Sequence, residues 1–421
     1  MTLLLSILLF LAAPAPTPAS KPDAAAFKLK PGAEGKLCLQ CHTQFTEVLA
    51  KPHVHTPAKG GDCVGCHNPH AASHGKLLSS DKSEVCLSCH KGLVPKQAKS
   101  THKPVAEGAC VSCHDPHASD NDKQLIKPGA QLCAGCHQGI ADGAAAAKVK
   151  HQPVEKGCTT CHDPHGSAKS EHLLTADVPA LCTNCHKTSA PQFAKAHLGY
   201  PVGKARCTTC HDPHGSNQAG MLYDNVHAPV AKKSCGQCHE GPGSAEPFAT
   251  KRVGLDLCRS CHGQAVANML DQPQVHWAIA DQRACLNCHS PHASKNAKLV
   301  TGNMNQTCGT CHADTIARQT NSPSKHKPMT DGNCTACHDP HASKAPLLFT
   351  EVQQATACSP CHDNMKHSSH PMGEKIKDPR NKNLTVACLS CHRAHGTEYK
   401  KLMPSPTTSE LCVKCHEQFR R

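Results

Sequence analysis

Large apolar side chains are scarce in this 421-residue chain, which holds 7 Phe, 3 Tyr and 1 Trp and has a mean hydropathy of −0.46. Length alone would suggest two or three ordinary domains. So thin a supply of core-forming side chains excludes them, because something other than Leu, Ile and Phe must fill the interior. Methionine is scarce as well, at eight residues including the initiator. Long hydrophobic runs are confined to the start. The apolar stretch from Leu3 to Ala13 is too short to span a bilayer and reads as the h-region of a signal peptide over residues 1–20. Ala13, Ala15 and the Thr17–Ala19 region offer small residues for cleavage, although no Lys or Arg precedes the apolar run. No later stretch is apolar enough to cross a membrane, and no cysteine near the cleavage region offers a lipid anchor. These features predict an exported, soluble mature protein.

Two residue types are abundant instead: 32 Cys and 35 His. Export with so many cysteines would ordinarily suggest disulfides, but the spacing overrides that. C-x-x-C-H occurs sixteen times and uses every cysteine: Cys38 and Cys41, Cys63 and Cys66, Cys86 and Cys89, Cys110 and Cys113, Cys133 and Cys136, Cys158 and Cys161, Cys182 and Cys185, Cys207 and Cys210, Cys235 and Cys238, Cys258 and Cys261, Cys285 and Cys288, Cys308 and Cys311, Cys334 and Cys337, Cys358 and Cys361, Cys388 and Cys391, Cys412 and Cys415. This is the attachment signature of heme c, in which two thiols add to the vinyl groups and the adjacent histidine lies under the iron. Those proximal histidines are His42, His67, His90, His114, His137, His162, His186, His211, His239, His262, His289, His312, His338, His362, His392 and His416. Neither a zinc site nor a disulfide scaffold demands histidine after every C-x-x-C. The sequence therefore predicts sixteen covalent hemes and no catalytic residues.

Sixteen irons need sixteen second axial ligands. Methionine cannot serve them all, whereas 19 histidines lie outside the motifs, so bis-histidine ligation is the economical reading. Seven of the 19 stand three residues past a motif histidine: His70, His117, His165, His214, His292, His341 and His395, mostly in an N/D/S-P-H context. Three residues reach at most about 10–11 Å, too little to round a macrocycle. Each is therefore expected to bind a different heme, so that one short, Pro-stiffened peptide holds two irons close together. Eight more lie upstream of motifs: His55, His102, His151, His197, His227, His276, His326 and His370. The sixteenth distal ligand is one of His53, His74, His172 and His367.

The two-motif unit repeats with a period of about 48 residues. Apolar pairs such as Leu77-Leu78, Leu125-Ile126, Leu173-Leu174, Leu299-Val300 and Leu347-Leu348 read as packing for porphyrin faces, and Ser83-Glu84 and Ser409-Glu410 as starts of short helices. After His239 the repeat breaks: Glu-Gly-Pro-Gly follows, with no second histidine. This divides the chain into an N-terminal half (21–240, nine motifs) and a C-terminal half (241–421, seven motifs), and makes the heme near Cys235 or Cys258 the expected place for an open iron.

The doubled spacing and P-H contexts resemble the doubled-CxxCH multiheme c-type cytochromes, a group that includes periplasmic and outer-membrane electron conduits of metal-respiring bacteria. The resemblance covers roughly residues 36–421 and implies an elongated, mostly irregular chain with short α-helices and a cofactor-filled core. It implies electron transfer rather than catalysis, with a periplasmic or membrane-bound donor, a porin-type outer-membrane barrel and an extracellular acceptor as partners. A multiheme reductase with one open iron and an extracellular cytochrome filament are the rival readings. The polypeptide charge of +13 would by itself suggest an anionic partner such as nucleic acid. With two ionised propionates per heme and one positive charge per ferric core, +13 becomes −3 oxidised and −19 reduced, so the Lys and Arg excess reads as compensation for propionates.

Overall fold

The computed structural model describes residues 34–362, 370–373 and 375–420. The leader over 1–20 and His367 lie outside them. The chain forms two compact units: one runs to Cys136 and takes in Pro164–Ala168, and the other comprises His137–Asp163 and continues from Lys169.

Each unit is built of short helical turns and two-residue strands joined by irregular chain. The second motif of a repeat sits on an α-helix, as in Lys82–Leu87, Met304–Gly309 and Thr408–Cys412. The helices at Ser83-Glu84 and Ser409-Glu410 are present, but the caps, Asp81 and Thr407, lie two residues before the serines. Asp81 Oδ1 accepts the Ser83 N–H at 2.9 Å, and Thr407 Oγ1 accepts the Glu410 N–H at 3.2 Å. The first motif of a repeat instead forms a single 3₁₀ turn, as at Cys110–Ser112, Cys207–Thr209 and Cys334–Ala336. In fourteen motifs the histidine N–H donates to the carbonyl of the first cysteine at 2.9–3.1 Å. The motif is thus one helical turn that places both thiols and the imidazole together. His137 and His262 instead lie in the long helices Gly129–Ala146 and Gly254–Leu270, and each kinks its helix.

Adjacent repeats are laced by minimal antiparallel ladders. In the first unit β1 (His53–Val54) pairs with β3 (Ala118–Ser119), and β2 (Ser100–Thr101) with β4 (Gly166–Ser167). In the second, β5 (Asn225–Val226) pairs with β7 (Ala293–Ser294), and β6 (Gln274–Val275) with β8 (Ala342–Ser343). The register is constant: the two residues before an upstream histidine pair with the two after a P-H histidine of the next repeat. Only small residues fit there, and Ala118, Ser119, Ala293, Ser294, Ala342 and Ser343 are all buried. Where His214 is followed by Gly215, φ is +127° and an added Cβ would meet the Ala147 side chain at 2.9 Å.

The side-chain core is as small as the composition requires. The buried apolar residues are mostly alanines, joined by Tyr200, Val266, Ile279 and Val386, and no large side chain is fully buried among the described residues. The accessible surface of 29990 Å² is nearly twice the ~16,000 Å² expected of a compact monomer of 44.7 kDa. One protein-only contact stands out. In the hairpin of β9 (Lys377–Asp378) and β10 (Asn381–Thr385), the buried Asp378 carboxylate takes two hydrogen bonds from Arg380, at 2.9 and 2.5 Å. This fork holds the Asp378 carboxyl down at about 2. A folded-state value below the ordinary one stabilises at pH above the ordinary value of 3.8, and the contribution is lost as pH falls from there through about 2. Arg380→Ala should therefore loosen this hairpin by about 3 kcal/mol near neutral pH, read as lost amide-exchange protection over 377–386, and the difference from the parent should shrink in acid.

Candidate heme-binding histidine pairs

Histidine rings far apart in the sequence are brought opposite one another across a nearly constant gap. P-H histidines meet the first-motif histidine of the preceding repeat: His117 with His67 at 6.1 Å between ring centroids, His165 with His114 at 6.2 Å, His214 with His162 at 6.3 Å, His292 with His239 at 5.8 Å, His341 with His289 at 6.0 Å and His395 with His338 at 6.0 Å. Upstream histidines meet the second-motif histidine of their own repeat: His55 with His90 at 5.8 Å, His151 with His186, His227 with His262, His276 with His312 and His326 with His362 at 6.2 Å, and His370 with His416 at 6.4 Å. His197 breaks the rule and meets His211 at 6.2 Å. No P-H histidine faces its own motif's ring among the described residues, as the short linker demands.

The gap fits one metal ion. Two metal–imidazole bonds of about 2 Å and two ring half-widths of about 1 Å sum to about 6 Å. The rings are also turned so that one nitrogen remains for the gap. In eight first motifs the histidine Nδ1 donates to a carbonyl nine or ten residues on: His67 to Lys76, His114 to Lys123, His162 to His172, His211 to Gly220, His239 to Phe248, His289 to Lys298, His338 to Leu347 and His392 to Lys401, at 2.7–2.9 Å. Upstream histidines donate Nδ1–H to the carbonyl of the P-H proline: His55 to Pro116, His102 to Pro164, His151 to Pro213, His227 to Pro291 and His276 to Pro340, at 2.7–3.0 Å. Such outer hydrogen bonds fix the tautomer and leave Nε2 as the ligand atom. Burial holds His117, His162, His211, His292, His326, His341 and His395 below the usual imidazole value, which keeps the ring neutral and its lone pair available.

Sequence reading missed these carbonyl acceptors. The apolar pairs, expected to pack on porphyrin, overlap or directly follow tight turns. In Lys76-Leu77, Lys123-Gln124, His172-Leu173, Lys298-Leu299, Leu347-Leu348 and Lys401-Leu402 both residues have φ between +53° and +61°. The first carbonyl of each turn takes the imidazole Nδ1–H, and the second takes the N–H of the residue after the motif histidine. A left-handed non-glycine residue costs roughly 1–2 kcal/mol, so the strain aims two carbonyls at one motif. Leu77 and Leu347 remain 44% and 75% exposed. The proline in P-H likewise acts through its carbonyl. Ala394 serves the same role for His326, so ring stiffness is dispensable.

The broken repeat is compensated. His239 and His262 each face a second imidazole, so the open iron expected near Cys235 or Cys258 has no counterpart at either motif. The P-H histidine missing after His239 would have served the motif at Cys207, and His197 takes its place there. His42 has Phe45 as its ring neighbour, at 6.3 Å, and among the described residues no second imidazole faces it; His70 is exposed. His102 occupies the same place in its repeat as His55 and His151. Of the remaining candidates, His53 lies 3.9 Å from Asp122, His172 lends its carbonyl to His162, and His74 forms a bridge with Leu78. Phe45, Phe193, Phe248, Phe349 and Phe419 each contact one of the ring histidines, so the few aromatics cluster at the sites.

Within each unit many successive motifs also lie side by side, alternately through their first and their second cysteines. Cys86 meets Cys110, Cys182 meets Cys207, Cys258 meets Cys285, Cys308 meets Cys334 and Cys358 meets Cys388. Between these contacts Cys66 lies near Cys89, Cys113 near Cys136, Cys161 near Cys185, Cys288 near Cys311 and Cys337 near Cys361. Burial and the neighbouring thiol push Cys86 and Cys182 up to about 11 and Cys258 to about 12. Within each unit, spatial order therefore follows chain order. At the broken repeat the alternation lapses and Cys210 adjoins Cys235.

Eight segments of the chain match a family described as a doubled CxxCH motif: residues 55–94, 102–142, 151–191, 200–226, 227–267, 276–317, 326–367 and 381–421. They cover about three-quarters of the sequence, and the short 200–226 match is the repeat with a single motif. The chain is also 32% identical over 189 residues to the multiheme cytochrome MtrA of Shewanella baltica, an alignment covering 40% of this chain and 54% of that protein. It thus spans about half the length of the curated relative it matches.

Proposed function

Since this chain belongs to the doubled CxxCH motif family, we propose that it is an electron-transfer protein carrying sixteen covalently bound c-type hemes, most of them held between two imidazoles. The observation that carries the proposal is the set of thirteen histidine pairs whose centroids stand 5.8–6.4 Å apart. The thirty-two motif cysteines would hold the hemes as thioethers, so the thiols stand for sulfurs that no longer titrate. The motif histidines are the proximal ligands; His55, His70, His102, His117, His151, His165, His197, His214, His227, His276, His292, His326, His341, His370 and His395 are distal. When bound, heme supplies a one-electron iron couple, and the polypeptide does the rest. It orients both imidazoles, fixes their tautomers through backbone carbonyls, and within each unit brings the cysteines of successive motifs close together.

We set the division into two halves at residue 240, where the sequence lacks the second histidine after His239. We place the protein in the periplasm or at the outer membrane after export, taking electrons from a periplasmic or membrane-bound donor. A porin-type barrel would lead them toward an extracellular acceptor. No helix among the described residues is long and apolar enough to cross a membrane. The reductase reading has one observation in its favour, the absence of a facing imidazole at His42 among the described residues, which would put an open iron at Cys38. Intact mass tests the proposal: mature protein should carry sixteen hemes per chain, and far fewer would sink it. Cyanide binding by about one heme per chain, lost when Cys38 and Cys41 become serine, would instead support the reductase reading.

A further inference from the structure

In each C-H-x-P-H peptide one side chain has no part in the account so far: that of the residue directly after the motif histidine. It is aspartate in four repeats, but Ser290 in another. Asp115 Oδ1 accepts the His117 backbone N–H at 2.9 Å and lies 3.8 Å from that ring's Nδ1; Asp339 stands to His341 in the same way, at 2.9 and 3.7 Å. Asp212 lies 3.5 Å from the Nδ1 of His214, with its other oxygen 3.5 Å from Lys295. His292 differs. Ser290 Oγ takes its backbone N–H at 3.4 Å, but its Nδ1 is buried with no hydrogen-bond partner. Buried polar atoms left unpaired are rare in folded proteins, and this one sits on a ring that faces His239.

We propose that the residue after the motif histidine sets the reduction potential of the heme two motifs earlier, acting through Nδ1 of the P-H histidine, and that Ser290 leaves the heme at Cys235 at a higher potential than those at Cys63 and Cys285. The inference rests on the ligand assignment above. A carboxylate 3.5–3.8 Å from Nδ1–H polarises the imidazole toward Nε2 and so favours ferric over ferrous iron. Its negative charge acts in the same direction. Neither effect reaches His292. An electron moving through the series would dwell at Cys235, the repeat where the sequence pattern is broken, and the proline carbonyl beside each such residue ties the same peptide to a third site.

The test uses mature full-length protein titrated optically with redox mediators, alongside heme content by mass and EPR. Ser290→Asp should move one heme's share of the α-band amplitude to lower potential. Asp339→Asn should move one share to higher potential, and it keeps the oxygen that accepts the His341 N–H, so it decides the matter if Ser290→Asp does not mature. Titrations that superimpose on the parent, or shift the opposite way, with heme content and low-spin EPR intact, overturn the proposal and leave the ligand assignment standing. His292→Ala separates the two: a new high-spin heme supports the assignment, whereas unchanged low-spin EPR overturns both.

Discussion

Made without heme attachment, the chain is expected to show no cooperative thermal transition. Ordering the 379 described residues costs roughly 1–2 kcal/mol each in backbone entropy, and burial of alanines with four larger apolar residues cannot offset that. The two-residue ladders and single-turn helices are too short to stand alone. On the proposed assignment, covalent attachment at both cysteines and ligation by facing imidazoles, half of them from a neighbouring repeat, would hold them in the mature protein and make folding and heme binding one event. Circular dichroism and hydrogen exchange on chain produced without the maturation machinery, or with the motif cysteines changed to serine, test this. Flat melting and unprotected amides are expected; native-like helicity with a sharp transition would show that the polypeptide has a core of its own.

The second large effect concerns which iron loses its ligand. His117→Ala should leave the heme at Cys110, whose motif histidine His114 is three residues away in sequence, low-spin, and turn the heme at Cys63 high-spin. The assignment follows from the 6.1 Å pairing of His117 with His67 and of His114 with His165. Adding Cys63→Ser and Cys66→Ser should abolish the high-spin signal, and adding Cys110→Ser and Cys113→Ser should leave it. The opposite pattern would mean that the P-H histidine serves its own motif, against the reach of a three-residue linker.

What could be read from sequence was local. Cysteine spacing, the adjacent histidine and the P-H step lie within a few residues, and they suffice to count sites and to rule out a self-serving P-H histidine. The repeat period followed from the motif spacing, and the sparse regular structure was what the family resemblance implied. Pairing was not legible, because His117 and His67 are fifty residues apart and nothing in either peptide names the other; the constant ladder register between repeats decides it. Backbone acceptors were hidden for a different reason. A carbonyl has no sequence signature, and the turn that presents it in Leu347-Leu348 uses left-handed leucines where glycine or asparagine would be the usual sign. His197 was grouped with the other upstream histidines, but it faces the single motif of its own repeat, which is how the chain accommodates the missing histidine after His239.

Paired imidazoles clamping iron are the centre of this account, and the EPR spectrum of the fully oxidised mature protein reads them directly. Low-spin ferric signals should dominate, with the near-parallel ring pairs giving rhombic spectra. The crossed pairs His197–His211 and His370–His416, at 67° and 72° between ring planes, should give a more anisotropic minority signal. A spectrum dominated by high-spin iron would contradict the account.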